Sequence, residues 1–183
     1  MKTILNLVND HQHILSMMAI MNKMADKINT DNELNELQLE EIISFLRNFA
    51  DKCHHAKEEN LLFPAMVNKG MPRDGGPIGV MLQEHVMGRN LINGMAEGLK
   101  DYQSGKKESL QAISQHMSNY AGLLETHIYK EDHILYPMAE RLFEESEDNK
   151  LFDEFEKVED EIKVNGKHKE YLDLIDRLSK IYL

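Results

Sequence analysis

Apolar residues recur at steps of three and four over most of this chain, and no segment shows sustained alternation with a period of two. This spacing places apolar side chains along one face of an α-helix, so it predicts amphipathic helices and an all-α protein. Four long stripes of this kind precede residue 144, and each stripe contains a histidine. These histidines are His11, His54, His85 and His127.

Clusters of glycine, proline and small polar residues separate the four stripes, most clearly at residues 70–79. A Thr30-x-x-Glu33 pattern has the form of a capping box and predicts the start of the second helix. Four long amphipathic helices with short links predict an antiparallel up-down-up-down bundle, which we assign to residues 1–143. The second stripe reaches Glu58 and the fourth reaches Glu131, and beyond each glutamate the same spacing predicts two further core residues. They are Leu61 and Ala65 in the second stripe, and Ile134 and Met138 in the fourth.

The C-terminal part of the chain, residues 144–183, has a different composition. Residues 144–161 contain ten acids and two lysines, a net charge of −8 out of −11 for the whole chain. Its apolar residues keep helical spacing, so we expect one or two extra helices packed on the bundle, with a break at Asn165-Gly166. The acidic run is most simply a solvated helix face, and a basic partner is the minor alternative.

The overall charge and the cysteine content exclude several classes of function. A net charge of −11 repels phosphate backbones and anionic lipids, so we expect neither nucleic acid nor a membrane as partner. The apolar stretches are too short for a signal peptide or a membrane span, which favours a cytoplasmic location. The single cysteine, Cys53, excludes an internal disulfide and a thiolate zinc cage. Nothing in the sequence indicates the oligomeric state.

Two segments of the chain, HHAKEENLLFPAM and HIYKEDHILYPMA, align at a constant offset of 73 residues. The alignment pairs His54 with His127 and Glu58 with Glu131, and it favours these residues over the adjacent histidine and glutamate of the same spacing. A spacing of four puts histidine and carboxylate on one helix face, where both reach a common metal centre. The lysine and the second acid of each repeat should then point away from that centre.

The other two helices each carry an acid-histidine pair on the apolar stripe, Asp10-His11 and Glu84-His85. Four histidines and two glutamates therefore converge in an apolar core, where unpaired charges would cost several kcal/mol, so we expect metal binding. Facing bundle helices hold di-iron or di-manganese centres with such residues. Two octahedral ions need about twelve ligand positions; two bridging carboxylates, four histidines and a bridging oxygen fill about ten. His55 can fill one of the remaining two unless it faces the surface, and the last would stay open. Tyr120 is a candidate donor to a bridging oxygen, although an ordinary core tyrosine is the simpler interpretation.

With these motifs the chain resembles the hemerythrin-like, His-His-Glu cation-binding domain proteins. The resemblance covers roughly residues 1–143 through NDHQHIL, HHAKEENLLFP, QEHVMGR and HIYKEDHILYP, in that order. It implies a four-helix bundle with two non-haem irons bridged by oxide or hydroxide, although the donor set also suits manganese or zinc. The implied ligands are His11 and His54 for one iron, His85 and His127 for the other, and Glu58 and Glu131 as bridges.

The sequence departs from the oxygen-carrying members of that family in the third helix. They have a second histidine one turn from the first, where this chain has Met81 and Arg89. That role is open to His55, and reversible oxygen carriage is correspondingly less expected. In the fourth helix Asp132 has the family's usual carboxylate spacing, and the internal repeat favours Glu131.

The resemblance implies binding or sensing of a small redox ligand, such as dioxygen, nitric oxide or peroxide, at the open iron position. The alternative is a redox enzyme, or a protein that donates iron to repair iron centres damaged by oxidants or nitric oxide. A third interpretation is a metal-stabilised bundle that acts through partner binding by its acidic C-terminal helices. The ligand set alone does not separate these functions.

Overall fold

The computed structural model describes residues 1–163 and 167–183, and side chains are described outside residues 161–166. These residues form six helices and no strand, which confirms the predicted all-α fold with extra C-terminal helices. The Asn165-Gly166 break lies outside the described residues. No helix in the described ranges combines the length and apolarity needed to cross a membrane.

The six helices are numbered in chain order. Helix α1 is Lys2–Asp31, α3 is Pro77–Gln103, α5 is Glu145–Lys163 and α6 is Lys167–Tyr182. Helix α2 is continuous and comprises α-helical Glu36–Phe45, π-helical Leu46–His55 and Glu58–Leu62, and α-helical Phe63–Asn68. Helix α4 comprises α-helical Ser109–Lys130, π-helical Glu131–Leu135 and α-helical Tyr136–Glu140.

Helices α1 to α4 form the predicted antiparallel bundle, in which α1 and α3 each contact α2 and α4. The buried apolar residues form two clusters, and the histidines lie between them. Along α1, for example, Leu7 belongs to one cluster, Ile14 to the other, and His11 is buried between them. The polar centre is therefore enclosed by apolar side chains at both ends. Helices α5 and α6 pack across α1 and α2.

The π-helical turns of α2 and α4 correct part of the predicted core. Up to Glu58 and Glu131 the predicted stripes are buried, but beyond them the buried face shifts by one residue. A π-helix bonds residue i to residue i+5, so each such turn holds more residues than an α-turn and displaces the stripe that follows. Leu62, Met66, Leu135 and Ala139 are buried in place of the predicted Leu61, Ala65, Ile134 and Met138.

The predicted capping box at Thr30 and Glu33 is also wrong. Helix α1 continues through Thr30, whose hydroxyl donates to the carbonyl oxygen of Asp26 at 2.9 Å. Helix α2 is capped instead by Asn35, whose side-chain oxygen accepts from the backbone N–H of Gln38. Several polar residues in this link can cap a helix, and local sequence alone did not select among them.

The first turn of α1 is capped by a residue from the C-terminal region. Asp148 of α5 accepts from the backbone N–H groups of Lys2 and Thr3 at 2.6 and 3.2 Å, and from the Thr3 hydroxyl. Both Asp148 and Thr3 are buried. Because free N–H groups at a helix start need acceptors, this contact ties the C-terminal helices to the bundle.

Candidate metal centre

Five histidines from all four bundle helices point a ring nitrogen into one small region. The Nε2 atoms of His11 and His54 are 3.1 Å apart, and those of His85 and His127 are 3.2 Å apart. The ring of His55 stacks on that of His85 with centroids 3.8 Å apart. All five are buried. His54 and His55 are consecutive and both buried at the end of the π-helical segment Leu46–His55.

Two fully buried glutamates lie between the two pairs of histidines. Glu58 Oε2 is 3.7 Å from His54 Nε2 and 3.4 Å from His85 Nε2. Glu131 Oε2 is 3.3 Å from His11 Nε2, and its Oε1 is 3.2 Å from His127 Nε2. Each carboxylate therefore approaches one histidine of each pair. This is the arrangement that a carboxylate bridging two cations requires.

The structure brings together all seven residues that the sequence selected. Their donor atoms form groups within 4.8 Å of one another, and one such group contains His55, His85 and His127. A second contains His11, His54 and Glu131, and a third joins Glu58 and Glu131 to His85. Four buried donor or acceptor atoms of the centre make no well-directed hydrogen bond among the described residues: His55 Nε2, Glu58 Oε2 and both Glu131 carboxylate oxygens. Unsatisfied buried donors and acceptors of this kind are costly, and a bound cation would satisfy them.

Each of the five histidines also meets a carboxylate on its outer nitrogen, Nδ1. A proton held there by an acid leaves the Nε2 lone pair directed at the centre, which is how metal-binding histidines are usually oriented. The pairs are His11 with Asp132 at 2.8 Å, His54 with Asp10 at 3.2 Å, His55 with Asp51 at 3.3 Å, His85 with Glu59 at 2.7 Å and His127 with Glu84 at 2.9 Å.

These acids correct the prediction that the second acid of each repeat points away from the centre. Glu59 and Asp132 lie outside the ring of Nε2 atoms, yet they contact two of its histidines. The acids of the Asp10-His11 and Glu84-His85 pairs bond to histidines of other helices and not to their sequence neighbours. Each of these acids has a counterpart in the other half of the chain, since Glu59 aligns with Asp132 and Asp10 with Glu84. This repetition is the sequence signal that could have identified them.

Arg89 occupies one of the two positions, with Met81, that lie one turn from His85 and where a further histidine was considered. Its guanidinium donates to Asp51 at 2.8 Å and to Glu59 at 2.7 Å. Those two carboxylates are the partners of His55 and His85. Arg89 therefore holds the acids that orient two histidines, while His55 enters the centre from α2.

A tyrosine that the sequence did not select contacts the centre. The hydroxyl of Tyr136 donates to Glu58 Oε1 at 2.7 Å and lies 3.4 Å from His11 Nε2. Tyr136 is the aromatic residue that precedes proline in the second repeat, where the first repeat has Phe63. The candidate tyrosine, Tyr120, is fully buried, and no partner for its hydroxyl lies within the described part of the chain.

The two glutamates have opposite protonation tendencies. Burial raises the pKa of Glu58 well above its usual range, and the charge of Glu131 raises it further. Burial would also raise the pKa of Glu131, but His127 and His11 outweigh burial and lower it. Glu58 therefore holds the proton that the two neighbouring carboxyl groups share, because two adjacent buried carboxylates repel each other.

The histidines differ in the same way. Burial lowers the pKa of His54 to about 4 and that of His55 well below its usual range, so both are neutral at neutral pH. Burial opposes the charged form of His127 too, but Glu131 and Glu84 outweigh it and raise the pKa of His127 to about 9. A cation would find two Nε2 lone pairs ready and would displace a proton from His127.

The family described as Hemerythrin HHE cation binding domain matches residues 3–139, which is most of the chain and includes every residue of the centre. No curated protein sequence matches the chain significantly.

Proposed function

The chain belongs to the hemerythrin HHE cation-binding family, and from this we propose that it holds two non-haem irons and binds a small redox ligand. The ligand class is dioxygen, nitric oxide or peroxide, taken up at a coordination position that the protein leaves open. The observation that carries the proposal is the buried donor set: five imidazole nitrogens directed inward around two carboxylates, with four donor atoms that lack a hydrogen-bond partner among the described residues.

The donor set fits two ions better than one. A structural zinc needs about four ligands, whereas two octahedral ions need about twelve positions. Five histidines and two bridging carboxylates would fill about nine of these, and a shared oxide or hydroxide about two more. About one position then remains for a ligand. Nitrogen and oxygen donors without thiolate suit iron, and manganese or zinc are the competing occupants.

The protein's own residues would divide unequally between the two ions. His55, His85 and His127 form one three-histidine group, while His11 and His54 group with Glu131. The open position accordingly belongs to the ion that His11 and His54 would hold. The Tyr136 hydroxyl also lies on this side, 3.4 Å from His11 Nε2, and its proton is donated to Glu58 Oε1.

When bound, a pair of non-haem irons supplies redox chemistry and affinity for dioxygen and nitric oxide. The protein contributes three things to that chemistry. The outer acids hold the imidazoles in the tautomer that presents Nε2, Glu58 and Glu131 connect the two halves of the centre, and the two apolar clusters limit the access of water.

The proposal is tested by loading the purified chain with Fe(II) without oxygen, then measuring metal content and the optical spectrum before and after exposure to air or nitric oxide. We expect about two irons per chain and a spectral change with each ligand. Glu131→Ala should lose both, while His133→Gln, at an exposed position of α4, should retain both. A single zinc, no metal, or an iron spectrum indifferent to air and nitric oxide would refute the proposal.

A further inference from the structure

A buried lysine connects the C-terminal helices to the metal centre. Lys57, the lysine of the first repeat, is 0% exposed. Its ammonium donates to Asn6 Oδ1 at 2.6 Å, Asp10 Oδ2 at 2.7 Å and Glu159 Oε1 at 2.9 Å. An ammonium has three N–H donors, and these three acceptors use all of them. Two of the acceptors lie on α1 and the third lies on α5.

The contacts continue from α5 to a histidine of the centre. Glu159 binds Lys57, Lys57 binds Asp10, and Asp10 Oδ2 lies 3.2 Å from His54 Nδ1. Asn6 closes the network, because its amide nitrogen donates to the same Glu159 oxygen at 2.7 Å. Phe155 of α5 is fully buried, and its ring centroid is 5.6 Å from the Lys57 ammonium. Helix α5 thus contributes both an acceptor and an apolar cover.

The other half of the bundle has the inner part of this network without the outer part. Lys130, the lysine of the second repeat, donates to Glu84, and Glu84 accepts from His127. The side chain of Lys130 is 32% exposed, however, so solvent screens its charge. The position equivalent to Asn6, 74 residues later, is the apolar Val80. Only the half that contains His11 and His54 is linked to α5 in this way within the described residues.

We propose that Glu159 is a positioning residue for the metal centre: through Lys57 and Asp10 it sets the orientation and basicity of His54. The C-terminal helices then control the ion on the two-histidine side, where the small ligand would bind. This inference rests on the proposed function. Its physical basis is that Glu159 shares the charge of Lys57. Without the Glu159 carboxylate, the Lys57 ammonium interacts more strongly with Asp10. Asp10 then becomes a weaker acceptor for the His54 Nδ1 proton.

The test compares Glu159→Gln with Glu154→Gln. Both substitutions remove one negative charge from α5, but Glu154 is half exposed and pairs with Lys157, away from the network. Stepwise anaerobic Fe(II) titration should show one of the two binding constants lowered about tenfold in Glu159→Gln, with the other within twofold of wild type. Glu154→Gln should match wild type in both constants.

A second measurement does not depend on iron. Long-range ¹H–¹⁵N spectra of the metal-free protein report the tautomer and hydrogen bonding of each histidine ring. Glu159→Gln should shift the His54 ring signals and leave those of His127 in place. Glu159→Asp keeps the charge but shortens the side chain, so it should lose the contact with the Lys57 ammonium and give the same shift.

The outcomes separate this inference from the proposed function. If both iron constants fall equally, or if only thermal stability falls while the His54 signals stay unchanged, Glu159 is a structural anchor of α5 and the inference is overturned. If the wild-type protein does not bind two irons, the proposed function fails, and the ring spectra still decide whether Glu159 positions His54.

Discussion

Acidification should weaken iron binding, and His127 sets the minimum size of the effect. The pKa of His127 is about 9, because Glu131 and Glu84 outweigh the opposing effect of burial. A cation must displace that proton from Nε2, so metal affinity falls as the pH falls below 9. Each pH unit below this pKa weakens the free energy of iron binding by about 1.4 kcal/mol. The loss is therefore about 1.4 kcal/mol at pH 8 and about 4 kcal/mol at pH 6. His127 alone therefore lowers affinity about a hundredfold between pH 8 and pH 6.

The other histidines modify this slope in predictable directions. Burial would lower the pKa of His11, but Asp132 and Glu131 outweigh it and raise that pKa above 6.5, so His11 steepens the loss at the acid end. His54, with a pKa of about 4, stays neutral over this range and adds nothing. The affinity should thus fall by at least about one decade per pH unit from pH 8 to pH 6.

Anaerobic Fe(II) titrations at several pH values measure this slope, and calorimetry in two buffers of different ionisation enthalpy counts the protons released. Glu84→Gln removes one charge that raises the pKa of His127, so its pH dependence should be flatter than that of wild type. Glu125→Gln, which changes an exposed acid on α4, the helix that carries His127, is the matched control. An affinity independent of pH between 8 and 6, or equal slopes for wild type and Glu84→Gln, would refute the reasoning.

Three further predictions concern the ligands, the C-terminal cap and the metal. His55→Gln should lower the affinity for one of the two irons by more than about tenfold, whereas an unchanged titration would remove His55 from the centre. Asp148→Ala should lower the free energy of unfolding in urea by about 1–3 kcal/mol, because it leaves the start of α1 and buried Thr3 without their acceptor; exposed Asp153→Ala should change it by less than about 0.5 kcal/mol. Chelation of the metal should lower the melting temperature, since an ion at a thousand times its Kd stabilises the fold by about 4 kcal/mol; equal melting curves would argue against tight binding.

Periodicity predicted the bundle because a helical stripe depends only on which side of each helix is apolar. It failed where the helix itself changes, since the steps of three and four assume an α-helix throughout. The π-helical turns after Glu58 and Glu131 add residues to a turn, so the predicted Ile134 is 48% exposed and Leu135 is buried in its place. The stripe passes through His54, and periodicity alone could not decide whether the adjacent His55 is buried with it.

The inner residues of the centre could be found from sequence because they repeat within the chain. The outer partners could not be found in this way, because periodicity predicts that a residue is buried but not which distant residue it contacts. Lys57 and Glu159 are separated by 102 positions, and the acid lies in a run whose composition predicts a solvated face. Only the packing of α5 on α1 and α2 shows that Glu159, like Asp148 of the same run, is turned inward.

The internal repeat makes the centre nearly symmetric, so its functional information lies in the positions where the two halves differ. His55 in one half corresponds to Ile128 in the other, and His55 groups with His85 and His127, whereas His11 and His54 group with Glu131. Tyr136 corresponds to Phe63, and its hydroxyl lies beside His11, on the side of the centre where two histidines are grouped. Asn6 corresponds to Val80, and Asn6 is what completes the Lys57 network to α5 in that same half. All three differences fall on the same side of the centre, which has two grouped histidines, a tyrosine hydroxyl nearby and a buried link to the C-terminal helices. Under the proposed function the ion on this side would have the fewest protein ligands, so this is the side on which a small ligand would bind.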